Sequence, residues 1–254
     1  MRLIVNADDF GYSPGQNYGV IDAFQRGIVR SASLMAQGIA AGQAAELARA
    51  NPGLGVGVHL VLDFGRPVSP PGDVPTLVDD EGKFLRFDIN QPLRHDLAEV
   101  EREWRAQIRR VLDLGLEPTH LDGHHHVHMH PQLWPVTRAL AREFDLPIRA
   151  MPRGWEAGAA YAGRAEIRHP QVCLVDFYGD GVREEFFTEF FANYPDLRDK
   201  TVEVMSHPAY VDDFILANSS YNFPRVRELQ VLTSPRVLAW VEQNGVELIN
   251  YRQL

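Results

Sequence analysis

Arg2-Leu3-Ile4-Val5-Asn6-Ala7-Asp8-Asp9-Phe10-Gly11 is an apolar, β-prone run that ends on two adjacent carboxylates. Its first part, 2–7, reads as a strand, and the acidic pair falls where that strand gives way to a turn. The chain continues Tyr12-Ser13-Pro14-Gly15. No Gly-x-Gly-x-x-Gly follows the strand, which removes the usual argument for a dinucleotide site. Working outward, similar short runs recur at 31–36, 56–62, 119–122, 146–150, 172–176, 201–205 and 246–251.

Amphipathic segments separate several of these runs. Leu97, Val100, Trp104, Ile108 and Val111 recur at spacings of three and four, with charged residues on the other face. Leu133, Val136, Leu140 and Phe144 repeat the pattern, and Phe186, Phe187, Phe190, Phe191 and Tyr194 form a third stripe. Ser234-Pro235 reads as a cap and first helical position, and Asn244-Gly245 as a stop. Alternating strands and helices imply a mostly parallel sheet. Seven to eight such units predict an α/β fold, an irregular (β/α) TIM-like barrel, over a single domain 1–254. An open doubly wound sheet is the alternative. The Pro/Gly-rich stretches 63–92 and 152–170 read as long loops shaping a barrel mouth.

Composition narrows the functional classes. The 254 residues carry a formal net charge of −9, with 45% hydrophobic and 23% charged residues, the balance of a soluble globular protein. The negative charge argues against a nucleic-acid partner. The longest uncharged stretch in the first third, 31–45, is too short and too polar to span a bilayer. The amino-terminal run is interrupted by carboxylates too early to be a signal-peptide core, and one cysteine, Cys173, fits a reducing compartment. The expectation is a cytoplasmic protein with no membrane partner.

Histidine is the anomaly. Six of ten (His120, His124, His125, His126, His128 and His130) fall within eleven residues, where even placement would put about 0.4. In an extended chain His120, Asp122, His124, His126 and His128 share one face. Imidazoles with a carboxylate to orient them suit a metal; a fortuitous His-rich loop is the plain alternative. Asp8 and Asp9 could bind a cation and take a proton, or merely cap a helix. His59 in an apolar run and His207 after 201–205 are, taken singly, ordinary buried or loop histidines. Together, however, all these residues lie at or just past predicted strand ends, which converge on one face of a parallel barrel. One Asp and two His with open positions can hold a divalent metal and water, so the chemistry indicated is metal-assisted hydrolysis of an amide or ester.

Four motifs then carry a resemblance: Asn6-Ala7-Asp8-Asp9-Phe10-Gly11, Gly57-Val58-His59-Leu60, Thr119-His120-Leu121-Asp122-Gly123-His124-His125-His126-Val127-His128 and Glu203-Val204-Met205-Ser206-His207-Pro208-Ala209-Tyr210. With Gln16-Asn17-Tyr18-Gly19, Asn222-Phe223-Pro224-Arg225 and Leu232-Thr233-Ser234, they span essentially the whole chain. The sequence resembles the YdjC-like carbohydrate deacetylases, in particular those acting on chitooligosaccharides. The resemblance implies a distorted (β/α) barrel that removes acetyl groups from N-acetylglucosamine units of short oligosaccharides. It implies Asp9, His59 and His124 as metal ligands, Asp8 as general base and His207 as the acid. It implies magnesium as the metal, although the donor set also suits zinc, and a homodimer as the assembly. The roles of His126 and His128 stay open. Among the tryptophans, Trp104 and Trp134 read as core, and Trp155 as the candidate for stacking on a sugar. The rivals are a metal-independent glycoside hydrolase using Asp8 and Asp122, and a sugar- or metal-binding protein without turnover.

Overall fold

The computed structural model describes residues 1–155 and 163–254; the part of the expected 152–170 loop at 156–162 lies outside them. The strands are β1 (Arg2–Phe10), β2 (Ser31–Leu34), β3 (Gly55–Leu60), β4 (Leu121–Gly123), β5 (Val172–Leu174), β6 (Thr201–Ser206) and β7 (Glu247–Leu248). They form one sheet in the order β4-β3-β2-β1-β6-β5, every pairing parallel. β7 pairs with Arg2 and Leu3 of β1, while β2 pairs from Asn6 onward. The last expected strand is therefore a two-residue stub that fills the gap beside the start of β1.

The run 146–150 does not form a strand. Pro147 and Pro152 have no N–H to continue a ladder. What remains are single parallel bridges, Leu121↔Ile148 on one side and Pro152↔Cys173 on the other. Those two bridges join the edge strands β4 and β5, so the curled sheet closes into an irregular barrel and does not stay open.

Helices α1 (Pro14–Arg26), α2 (Ala41–Ala50), α3 (Leu97–Asp113) and α4 (Trp134–Glu143) cover the sheet, as do α8 (Phe223–Leu232) and α9 (Pro235–Gln243). Short helices α5 (Glu185–Thr188), α6 (Phe190–Asn193) and α7 (Asp213–Asn218) lie among them. The 186–194 stripe, read as one helix, is two single turns separated at Glu189. A run of bulky aromatics has little intrinsic helix propensity, and packing decides its shape. Phe187, Phe190 and Phe191 all reach Trp240 of α9. Ser13, Asp96 and Ser234 cap α1, α3 and α9 through their side-chain oxygens. No helix among the described residues is long and apolar enough to cross a membrane.

Side-chain alternation along β1 separates two environments. Leu3, Val5 and Ala7 join the large apolar cluster between sheet and helices, with Trp104, Ile108 and Leu140. Ile4, Asn6 and Asp8 face the other way, into the barrel. There Ile4 meets Ile249 and Tyr251, a small apolar plug at the amino-terminal end of the strands. Above that plug the interior is polar, and the candidate site rests on it.

Candidate metal centre and active-site cavity

Asp8 and Asp9 reach the same mouth because the strand breaks its own alternation. The β1–β2 register shifts between Ala7 and Phe10, and Asp9 has φ 63°. A left-handed non-glycine costs on the order of 1–3 kcal/mol and persists only when its surroundings impose it. The resulting bulge turns a side chain that regular pleating would send into the outer core toward its neighbour.

Around Asp9 three donors converge. His124 Nδ1 lies 3.0 Å and His59 Nε2 3.4 Å from Asp9 Oδ1, and the three ligand atoms sit within 4.8 Å of one another. Asp9 Oδ2 faces Arg225 Nη1 at 2.8 Å. His59 Nδ1 lies 2.9 Å from Asp122 Oδ1, so a proton held there leaves the Nε2 lone pair aimed at a carboxylate oxygen. Two such electron-rich atoms need a cation between them. Burial opposes a charged imidazole, yet the Asp122 and Asp9 carboxylates outweigh it and push His59 up to about 10. A divalent metal would meet the same demand: one carboxylate and two imidazoles, one ring oriented from behind by a second carboxylate. The residues fit the group.

Asp8 is held differently. Arg149 Nη1 and Nη2 donate to its two oxygens at 2.7 and 2.5 Å, and Asn6 Nδ2 donates at 2.8 Å. Burial pushes the carboxyl up and Arg149 more than offsets it, so Asp8 titrates below the ordinary carboxylate range. Arg149 is fully buried and also meets Asp122 Oδ2 at 2.8 Å and Glu203 Oε1 at 2.9 Å. Tyr251 Oη donates to the other Glu203 oxygen at 2.6 Å, and Ser33 Oγ donates to Asp122 at 2.7 Å. Burial raises the pKa of Glu203, against the pull of the Arg149 guanidinium. The barrel interior is thus a continuous ionic network supporting the site from below.

The histidine cluster does not share one face. The extended chain stops at Gly123, and His124–Met129 forms a kinked turn with His125 at φ 47° and His126 at φ 58°. His120 lies within the barrel, stacked on Tyr251 with ring centroids 3.8 Å apart and 3.1 Å from Ser33 Oγ. A Cβ at Gly57 would come within 2.4 Å of that ring, so glycine is required there. His124 joins the Asp9 cluster, whereas His125 turns outward to Asp63 Oδ2 at 2.5 Å. His126 packs edge-on against Trp155. His128 and His130 are buried behind the turn. Period-two spacing holds only while the backbone is extended; here it ends one residue before His124.

His207 stands across the cavity at the end of β6. Glu228, fully buried on α8, accepts the His207 backbone N–H, and its Oε1 lies 3.7 Å from His207 Nδ1. Tyr221 Oη donates to the same carboxylate. The rings of Tyr178 and Tyr221 meet His207 edge-on at 5.8 and 5.6 Å. A cavity of about 410 Å³ joins these groups, lined among others by Asp8, Asp9, His59, His124, Tyr178 and His207. All five residues picked from sequence thus converge on one mouth. Arg149, Glu203, Arg225 and Glu228 escaped that reading. The available signal was a charged residue interrupting an apolar stretch, as Glu203 does between Val202 and Val204.

The chain is thus an irregular parallel barrel whose carboxyl mouth carries an Asp-His-His group that could hold a metal ion. The YdjC-like protein family model matches residues 2–243, and the chain belongs to that family. It is 45% identical over 250 residues, 98% of this chain and 96% of the other, to a carbohydrate deacetylase of Geobacillus stearothermophilus. It is 40% identical, over 100% of both chains, to a carbohydrate deacetylase of Brevibacillus brevis. A crystal structure from Enterococcus faecalis, of a proposed cellobiose-phosphate cleavage protein, superposes with TM-score 0.92. Identity there is 36%, over 99% of this chain and 98% of the other.

Proposed function

We propose that this protein is a metal-dependent carbohydrate deacetylase that releases acetate from N-acetylglucosamine units of short chitooligosaccharides. The observation that carries the reading is the convergence of Asp9, His59 and His124 beside a separately held carboxylate, Asp8, with His207 across the same cavity. The full-length similarity to carbohydrate deacetylases supports the same class.

Asp9, His59 and His124 would hold the cation, which, when bound, supplies Lewis acidity toward the acetyl carbonyl and acidifies water. Magnesium is the expected metal, and two imidazole donors also admit zinc. Asp8 takes the proton of the attacking water. Arg149 weakens its basicity but fixes both its oxygens, so aim, more than intrinsic base strength, suits it to that role. Asp122 keeps the His59 ring turned toward Asp9. His207 gives a proton to the departing amine nitrogen, with Glu228 accepting its backbone N–H.

A glycoside hydrolase pairing Asp8 with Asp122 is disfavoured by the same geometry. Asp122 is fully buried, engaged by His59, Arg149 and Ser33, and does not line the cavity. The test is acetate release from N,N′-diacetylchitobiose by metal-loaded protein, with and without chelator. Acetate should appear and chelation should abolish it; Asp8→Asn should lower turnover roughly 10²–10⁴-fold, the usual range for a general base. Wild-type rates in the chelated protein or in Asp8→Asn would sink the assignment.

A further inference from the structure

Trp155, the aromatic residue picked from sequence for sugar stacking, is half-exposed but engaged edge-on by His126, and it does not line the cavity. A different aromatic pair does. Tyr178 follows β5 and Tyr221 precedes α8, and their rings lie parallel, 3.9 Å between centroids and 11° between planes. Tyr221 is anchored at its hydroxyl, which donates to buried Glu228 and accepts from the Gly179 backbone N–H at 3.2 Å. Its ring is therefore fixed, and stacking fixes Tyr178 in turn. Tyr178 still has 46% of its surface exposed. An aromatic ring that is both rigid and uncovered at a cavity wall loses little entropy on contact, which suits it to an apolar face of a ligand.

Both rings also stand edge-on to His207. The nitrogen that His207 protonates is bonded directly to C2 of the sugar ring, so that ring must lie within one bond of the nitrogen's position. We infer that Tyr178, backed by Tyr221, is the platform on which the pyranose ring of the reacting sugar stacks, with Trp155 outside that contact. The inference rests on the deacetylase reading for its choice of sugar. The platform orients the ring so that its acetamido group points from His207 toward Asp8 and the Asp9 cluster, and it takes a neutral pyranose with an apolar C–H face. Among the described residues, the arginine lining the cavity is Arg225, and it is already committed to Asp9 and Gln16.

The test is calorimetric titration of N,N′-diacetylchitobiose into chelated protein, where binding is read without turnover. Tyr178→Ala should weaken Kd roughly 2- to 12-fold, the fold-change of an aromatic contact. Tyr178→Phe and Trp155→Ala should each stay within about twofold of wild type. If Tyr178→Ala does not fold, judged by its thermal transition, Tyr178→Leu takes its place with the same expected loss. Wild-type affinity in the ring-deleted variant, a larger loss from Trp155→Ala, or no sugar binding by wild type would each overturn the platform. Acetate release by the metal-loaded wild type is read separately. If that fails while the Kd differences hold, the deacetylase reading is at fault and the sugar platform stands.

Discussion

The two faces of the same sheet are held by opposite chemistry. Outside the barrel, Leu3, Val5, Ala7, Trp104, Ile108 and Leu140 form a continuous apolar layer under the helices. Inside, Asn6, Asp8, Ser33, His59, His120, Asp122, Arg149 and Glu203 are buried together in hydrogen bonds and ion pairs. The outer layer is non-directional and tolerates change in proportion to volume lost. The inner network is directional, and each member satisfies another, so removing one strands its partners in a low-dielectric interior. Stability resides mainly in the first and aim in the second.

The contrast breaks most visibly at Arg149. Arg149→Met leaves Asp8, Asp122 and Glu203 without their shared cation, and urea unfolding should show a loss of about 3–5 kcal/mol. A cost below 1 kcal/mol would mean that the interior is wet and its charges independently solvated. On the outer face, Leu140→Ala should lose about 2–5 kcal/mol by cavity formation. The protein that remains folded should keep its KM, because nothing that α4 contributes at Leu140 touches the cavity.

Acid should separate the two layers next. Burial depresses His120 to about 4, while an unfolded histidine titrates near 6.5. Between those values the unfolded chain binds more protons than the folded one, so stability falls as pH drops from about 6.5 to about 4. The expected loss from His120 is on the order of 3 kcal/mol. His120→Gln should flatten that limb of a stability-against-pH curve, and an unchanged slope would show that the ring is charged in its pocket. The smallest effect belongs to orientation alone. Asp122→Asn should lower metal affinity roughly 10- to 100-fold, the usual consequence of losing the group behind a liganding histidine. Metal titration monitored by calorimetry would read it.

Much of this was written in the sequence. Apolar runs alternating with stripes at three and four residues gave the parallel barrel, because both periods follow from backbone geometry and need no partner to be seen. Asp8, Asp9, His124 and His207 were legible because each follows a β-prone run, and His59 because it lies within one beside them, since parallel strand ends must meet. The histidine cluster was legible as a location but not as an arrangement. Two left-handed residues, His125 and His126, send neighbouring rings to different places, and a side-chain alternation rule cannot anticipate a φ that tertiary contacts impose.

Sequence alone therefore determined the fold class, the mouth at which the candidate residues meet and the residue types that gather there, since these depend on local periodicity and topology. Only the tertiary structure decided that 147–153 closes the barrel by single bridges, and that Asp9 leaves the strand's alternation to face its neighbour. The same holds for Arg149, Glu203, Arg225 and Glu228, which brace Asp8, Asp9 and the backbone of His207. A buried charge is selected by partners tens to hundreds of residues away, and nothing in its own stretch of chain distinguishes it from a surface residue until those partners are brought to within 3 or 4 Å.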